Sequence, residues 1–466
     1  MAERTTRTDE SLNTADHSAR SGSVTAQLIR LSLPLILSNI LQQFYNTIDT
    51  WMVGRYAGPT AFASMGIAGS LMNLFMFIVI GACTGISIMF AQLYGAEDLR
   101  HFRQEHYQML TVGTIAALVL SAGGMLSLSS LIRLMQTPGD MVPYVSGYLS
   151  LILAGLPLTY LYNYYNGLLR AVGNARVPLF ILAGATILNL VMDYLLVGVM
   201  SMGTRGAAIA TILSQGFSAA LCILYLMRCH REFMFRRPDM RISGDLLRKT
   251  CALALVTGLH QTGLYIGKML VQCAVNICGA DMIAAYTATT RIEAFINSFG
   301  DSGAAATSVV AGQAYGAGSK DRVRRTFICS AGILTAFGIA CSVFLWLTAP
   351  QTSAFMLSGS GGEAFTQAVG YLRLVSFFYM FCFLGNTFAG YYNGIGSPKI
   401  TFMGSASQIT IRVILSFLWL PGGSLRSLAL ATGLGWMWCC LFWSLVYLKT
   451  QRGAPGLFDL WGQMTL

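Results

Sequence analysis

Between Ala207 and Tyr225 the only polar side chains are Thr211, Ser214, Gln215 and Ser218. A helix of about twenty such residues crosses a hydrocarbon core of ~30 Å, and comparable segments recur from Gln27 to the region before Lys449. Of the 466 residues only 11% are charged, against roughly 25% in soluble domains. So few charges cannot cover a water-facing surface. The chain is therefore an all-α integral membrane protein. Spans are predicted near 26–53, 60–93, 107–130, 144–169, 177–198, 206–227, 250–276, 282–314, 327–347, 365–390, 400–419 and 428–448, twelve in all.

With twelve spans both termini share a side. Lys and Arg number 21 on that side, seven of them in Arg228–Lys249, and four on the other: Arg55, Arg133, Arg205 and Arg426. This positive-inside bias puts both ends in the cytoplasm of a multi-pass inner-membrane protein. It also accounts for the net charge of +11 without a nucleic-acid site. Residues 1–25 are polar with no apolar h-region, which predicts a disordered cytoplasmic tail and no cleaved signal. The eleven cysteines lie almost wholly in apolar segments without metal-ligand spacing and read as packing residues.

The chain repeats itself. Gln92-Leu-Tyr-Gly-Ala96 recurs as Gln313-Ala-Tyr-Gly-Ala317, an offset of 221, each copy followed by a basic stretch. Tyr165-Asn-Gly167 recurs as Tyr392-Asn-Gly394 with Ala-Arg176 against Pro-Lys399, while Ala207–Thr211 resembles Ser427–Thr432. The Tyr-Asn-Gly copies lie 227 residues apart, while Gly173-Asn-Ala-Arg176 and Gly396-Ser-Pro-Lys399, which follow them, are offset by 223. Each half holds six spans, so the copies are parallel repeats with a site expected between them. The predicted divisions are an N-lobe at 26–228, a basic linker at 229–249, a C-lobe at 250–448 and a cytoplasmic tail at 449–466.

Ionisable groups inside a bilayer cost several kcal/mol and mark function. The acids in the spans are Asp49, Asp193, Glu293 and Asp301; the bases are Lys268, Arg291, Arg373 and Arg412. In the first span Asn39, Gln42, Gln43, Asn46, Asp49 and Thr50 recur at spacings of three and four, which gathers them on one helical side. Such a stripe lines an aqueous cavity or binds helices by hydrogen bonds. Pro34 removes a backbone hydrogen bond and offers this helix a place to bend.

Asn189 and Asp193 are an i,i+4 pair on the fifth span. With Asp49 they offer the oxygen ligands that a hard cation wants. Two carboxylates in a poorly hydrated place repel, so one binds a proton or cation readily. Simple packing pairs with an Arg or a hydroxyl are the alternative. At the repeat offsets Asp49 corresponds to Leu270, and Asn189 and Asp193 to Arg412 and Ser416. A requirement of the fold would appear in both halves, so this asymmetry favours a cation site in the N-lobe. On the seventh span Gln261, Tyr265, Lys268, Gln272 and Asn276 form a second polar stripe, where Lys268 either biases the cavity toward anionic or neutral substrates or pairs with a carboxylate.

Several segments together resemble the multidrug and toxic compound extrusion (MATE) family, its DinF-like branch in particular. They are Phe44–Gly54, Gln92–Ala96, Arg170–Pro178, Asn189–Asp193, Gly206–Thr211, Tyr286–Glu293 and Gln313–Ala317. The resemblance implies twelve helices in two lobes forming a V that opens alternately to either side. It implies export of amphipathic, often cationic compounds in exchange for H⁺ or Na⁺. It places the coupling-ion ligands, for Na⁺ as for H⁺, at Asp49, Asn189, Asp193 and Thr211, and the helix bend at Pro34. The glutamate that the NorM-like branch carries on its seventh helix has no match in Leu259–Asn276, where Lys268 stands instead.

The partners expected are a drug-like small molecule and the lipid bilayer, with the chain acting as a monomer and needing no cofactor beyond the coupling ion. No ATP-binding loop is present, so an ion gradient supplies the energy. A flippase of lipid-linked saccharides or peptidoglycan precursors is the nearest alternative, and it would want several cations along the cavity. An enzyme is disfavoured because His260 stands alone within a span, with no base at catalytic spacing. A channel is disfavoured because nothing resembles a filter or a ring of like charges.

Overall fold

The computed structural model describes residues 23–451 apart from 358, 360 and 422. The predicted tail up to residue 22 and most of the C-terminal tail lie outside the described residues. Fourteen α-helices follow one another: α1 Val24–Ala57, α2 Pro59–Gly95, α3 Leu99–Leu134, α4 Val142–Ala154, α5 Leu156–Ala171, α6 Arg176–Asp193, α7 Gly203–Cys229, α8 Gly244–Asn276, α9 Ala280–Gly316, α10 Lys320–Leu357, α11 Glu363–Ser376, α12 Tyr379–Gly394, α13 Pro398–Trp419 and α14 Leu425–Gln451. No strand occurs among the described residues. Eight of these helices or their extensions are long and apolar enough to cross a membrane, and the bent pairs α4–α5 and α11–α12 each make one further span. The remaining two spans are α8 and α9, of 33 and 37 residues, whose polar stripes lower their hydropathy but not their reach. Twelve spans result.

Two of the predicted spans are not straight. The chain turns by 50° between α4 and α5 and by 55° between α11 and α12. In the first, Gly155 packs so tightly on Ile212 that a Cβ would clash, and Pro157 removes a backbone donor. The second break has no proline or glycine. There the ring of Phe378 fills the space over Gly433. Gly155 and Phe378 are repeat equivalents, as are Ile212 and Gly433, so the large and small partners have exchanged sides while the bend has stayed.

The α1–α7 lobe buries apolar cores around Phe90, Phe102, Leu168 and Val53; the α8–α14 lobe does so around Tyr371, Leu372, Phe383 and Tyr392. Large apolar side chains such as Leu126, Phe180 and Phe355 stand on the outside, as a lipid-facing surface requires.

The lobes meet toward the end of the bundle that carries the first and last described residues. The two Gln-x-Tyr-Gly repeats cross there. A Cβ on Gly95 would run into the carbonyl oxygen of Gln313, and one on Gly316 into that of Gln92. Gln92 Nε2 donates to the Gly394 carbonyl at 2.9 Å, and Gln313 Nε2 to the Ala171 carbonyl at 2.7 Å. These bonds are two copies of one contact. Further along, Thr257 Oγ1 donates to Gly81 O at 2.7 Å, Asn39 Nδ2 to Ser302 Oγ at 2.9 Å and Tyr265 OH to Ser70 O at 3.0 Å. Beyond Asn39, Ser70 and Tyr265, no hydrogen bond joins the lobes among the described residues, and Gln42, Gln43 and Asn46 on the Asn39 side of α1 are exposed. The cleft therefore opens toward the end opposite the termini.

Residues between α7 and α8 are docked on the N-lobe rather than free. Arg103 Nε bonds Asp239 Oδ2 at 2.9 Å, and His106 Nδ1 bonds the Phe233 carbonyl at 2.9 Å.

Candidate functional site

α1 packs against α6, the turn that follows it, and α7. After Asp193 the sixth helix widens into a π-helical turn, Tyr194–Val199. Such turns recur at functional sites because they re-aim side chains within a helix. Here the widening begins at the acid itself. Asp193 is fully buried, Asp49 is 6% exposed, and their carboxyl groups adjoin one another. Asn189, one turn earlier on α6, and Thr211 of α7 are buried as well.

This cluster is short of partners. Asp49 Oδ1, both oxygens of Asp193, Asn189 Nδ2, Thr211 Oγ1 and the Tyr45 hydroxyl are buried and make no hydrogen bond. Among the described residues no lysine or arginine acts on either carboxyl. Buried polar atoms in folded proteins are nearly always paired, so six unpaired atoms in one place mark a candidate site for a polar guest. Its donors are carboxylate, amide and hydroxyl oxygens, which suit a proton or a hard cation rather than a soft metal. No group of three or more His, Cys, Asp or Glu residues suited to a metal occurs among the described residues.

Tyr45 was not singled out by sequence. Its hydroxyl lies beside Thr211 and within reach of both carboxyls. The signal was present, because Tyr45 is one helical turn before Asp49. Tyr148 borders the same site and donates to Met72 Sδ at 3.2 Å.

The polar stripe of α1 is divided. Tyr45 and Asp49 face the N-lobe interior, while Asn39 reaches the C-lobe through Ser302 and the Ser298 carbonyl. Gln42, Gln43 and Asn46 are exposed. On α8 Gln261, Tyr265 and Gln272 are half-buried, while Lys268 and Asn276 are exposed. Tyr265 stacks on Phe77 with ring centroids 5.1 Å apart, and Gln272 Nε2 bonds Asn276 Oδ1 at 2.8 Å. Pro34 is buried within α1, which runs unbroken through it.

The C-lobe contains a different polar centre. Glu293 of α9 accepts from Tyr371 OH at 3.1 Å and Tyr379 OH at 3.4 Å, and Arg412 of α13 acts on the same carboxylate. Arg291, two residues earlier, is exposed and points elsewhere.

The MatE family profile matches residues 34–195 and 257–418, two stretches displaced by 223 residues at both ends. This chain belongs to the MATE family. The repeat read from the sequence is thus the family's own unit, present twice. Among its relatives, the probable multidrug resistance protein YpnP of Bacillus subtilis is 26% identical over 85% of this chain and 86% of its own length. The probable multidrug resistance protein NorM of Thermotoga maritima is 26% identical over 68% and 70%. The DinF-like branch is represented by the DNA damage-inducible protein F of Escherichia coli, 26% identical over 62% and 63%. In fold the chain is similar to a MATE transporter solved in a bent conformation, with a TM-score of 0.86 at 22% identity, covering 94% of this chain and 99% of that one. The likeness supports a V-shaped bundle of two six-span lobes. The chain is a multi-pass membrane transporter of the multidrug extrusion family.

Proposed function

We propose that this MATE chain exports amphipathic organic compounds in exchange for H⁺ or Na⁺, and that it sits in the inner membrane with both termini in the cytoplasm. The observation that carries the reading is the buried Asp49–Asp193 pair, which has no cationic partner. A purely structural acid pair in a membrane interior would be neutralised by a neighbouring base. This one is left for a mobile cation.

The division of α1 supplies the mechanism. One side of the helix holds Asp49 and Tyr45 in the N-lobe; the other presents Gln42, Gln43 and Asn46 to the cleft. When the pair gains a proton or Na⁺, the mutual repulsion of the carboxylates falls and α1 repacks against α6 and α7. Its cleft-facing amides move with it, the cavity shrinks, and the compound leaves. Opening toward the cytoplasm then releases the cation and admits the next compound. Pro34, which leaves the Arg30 carbonyl without its helical donor, gives α1 the point at which to flex.

The direct test is dye efflux from proteoliposomes under pH and Na⁺ gradients imposed separately. Wild type responds to at least one gradient, and Asp193→Asn abolishes that response at matched insertion. Efflux by Asp193→Asn at the wild-type rate overturns the assignment.

The flippase reading draws on the exposed Lys268 and Arg291, since lipid-linked saccharide precursors are anionic. Two cations on one wall are fewer than a pyrophosphate-bearing substrate would engage, and Arg412, the third candidate, acts on Glu293 inside the C-lobe. Export of smaller compounds accounts better for the cleft.

A further inference from the structure

We propose that Arg291, assisted by Lys268, forms an anion-binding pole in the cleft, so that the compounds this chain carries best are amphipathic anions: an apolar or aromatic body with a carboxylate, sulfonate or phosphate. The inference rests on the transport reading above and names the class of substrate.

Arg291 is placed by its helix. Ser298 and Ser302 of α9 meet Asn39 of α1 across the lobe boundary. Arg291 precedes Ser298 by seven residues, which is two helical turns on the same face. It therefore points across the lobe boundary toward α1, above the contact that closes the cleft. Two turns beyond Asn39 in the opposite direction stands Asn46, exposed at the same level. The repeat supports this placement. The N-lobe equivalent of Arg291 is Ser70, and its carbonyl accepts from Tyr265 of the opposite lobe. Equivalent positions on α2 and α9 thus both face the other half.

The guanidinium is exposed and makes no hydrogen bond or salt bridge among the described residues. Lys268 lies on the adjoining α8, also exposed, and within the influence of Glu293 and Asp301. Asp301 offsets part of the Lys268 charge, but it lies past Ser298 toward the closed end. Glu293 is buried and held by its two tyrosines. Facing the pole, α1 offers neutral amides at Gln42, Gln43 and Asn46; its one acid, Asp49, is buried in the N-lobe. The open part of the cleft thus carries the Arg291 charge without a carboxylate partner, while the Lys268 charge is partly offset by the exposed Asp301. Beside it, Phe77 stacks on Tyr265, a surface for an apolar body. An arginine in a partly desolvated cleft binds a planar or tetrahedral oxyanion through paired N–H donors.

The test uses the full-length chain in detergent and two probes that share a dansyl body, dansyl-taurine as the sulfonate and a dansyl derivative ending in trimethylammonium. Wild type should bind the sulfonate more tightly. Arg291→Gln should weaken the sulfonate about tenfold and leave the ammonium probe unchanged or tighter, while Arg291→Lys retains most of the preference. Lys268→Gln should produce a smaller loss of the same sign. A wild-type preference for the ammonium probe overturns the proposal, as does an equal loss for both probes in Arg291→Gln. Gradient-driven efflux of the two probes, measured in parallel, reports on transport itself. Efflux of the ammonium probe alone refutes the anionic pole but leaves the exporter standing, whereas loss of gradient dependence for both removes the exporter.

Discussion

The two lobes put a tyrosine at the same place and give it different company. In the N-lobe Tyr148 donates to the Met72 thioether; in the C-lobe its repeat equivalent, Tyr371, donates to Glu293. Met72 and Glu293 are themselves equivalent at the 221 offset. Glu293 receives a second tyrosine, and the C-lobe carries Arg412 where the N-lobe has Asn189. Asp49 and Asp193 meanwhile correspond to Leu270 and Ser416. Each lobe therefore has a polar centre, but only in the C-lobe centre does a base act on the carboxylate. A buried carboxylate held by two tyrosine hydroxyls fixes packing, whereas in the mechanism proposed above the two carboxylates without a base act as a switch. On the proposed mechanism the difference assigns coupling to one half and rigidity to the other.

Exchanging charge in the two centres should break the lobes in different ways. The largest effect is expected at the pair itself. Asp49→Asn and Asp193→Asn should each reduce gradient-driven efflux to background, with thermal stability in detergent unchanged or raised, because mutual repulsion is removed. Glu293→Ala should do the reverse. It leaves the buried Tyr371 and Tyr379 hydroxyls without their acceptor, a loss of about 1–3 kcal/mol, seen as a lowered unfolding temperature, while the protein that remains folded still responds to the gradient. Glu293→Gln keeps an acceptor for one of the two tyrosines and should fall between. If Glu293→Gln, at normal stability, abolished gradient response, the division of labour between lobes would be lost.

A smaller effect is expected where the lobes touch. Gly95→Ala or Gly316→Ala places a methyl group against a backbone carbonyl, so the end that carries the termini cannot close as it does here. Cysteines introduced on α2 and α9 near Gln92 and Gln313 should label faster from that side, and turnover should fall several-fold. The smallest is at Pro34. Pro34→Ala restores a helical donor and should slow turnover while changing dye affinity little. An unchanged rate would take the bend out of the mechanism.

Much of this was legible in the sequence because membrane physics constrains it strongly. Apolar run length gave the spans, and Gln92–Ala96 against Gln313–Ala317 gave the repeat. The acids stood out because charge in a bilayer is costly. What was hidden was mostly tertiary. The break at Gly155-Leu-Pro157 has a local cause, but the one at Phe377-Phe378 depends on Gly433 from another helix. The α1 stripe reads as one surface, since residues three and four apart always lie on one side of a helix. Only its neighbours show that Asp49 turns into the N-lobe while Asn46 stays in the cleft. Tyr45 was passed over because a tyrosine in an apolar run looks like packing. The meeting of Gln92 and Gln313 needed the fold, since a repeat announces similarity and not contact.

The central claim is that cation binding at Asp49 and Asp193 and compound binding in the cleft oppose one another through α1. Linkage makes the effect reciprocal: a cation that lowers compound affinity must itself be bound less tightly, by the same factor, when the compound is present. The most direct measurement is the affinity of a dye of fixed charge for the detergent-solubilised protein, taken across pH with and without Na⁺. Affinity should fall as the pair takes up protons with decreasing pH, or as Na⁺ rises, and Asp49→Asn should flatten that dependence. A wild-type affinity that ignores both ions would contradict the account.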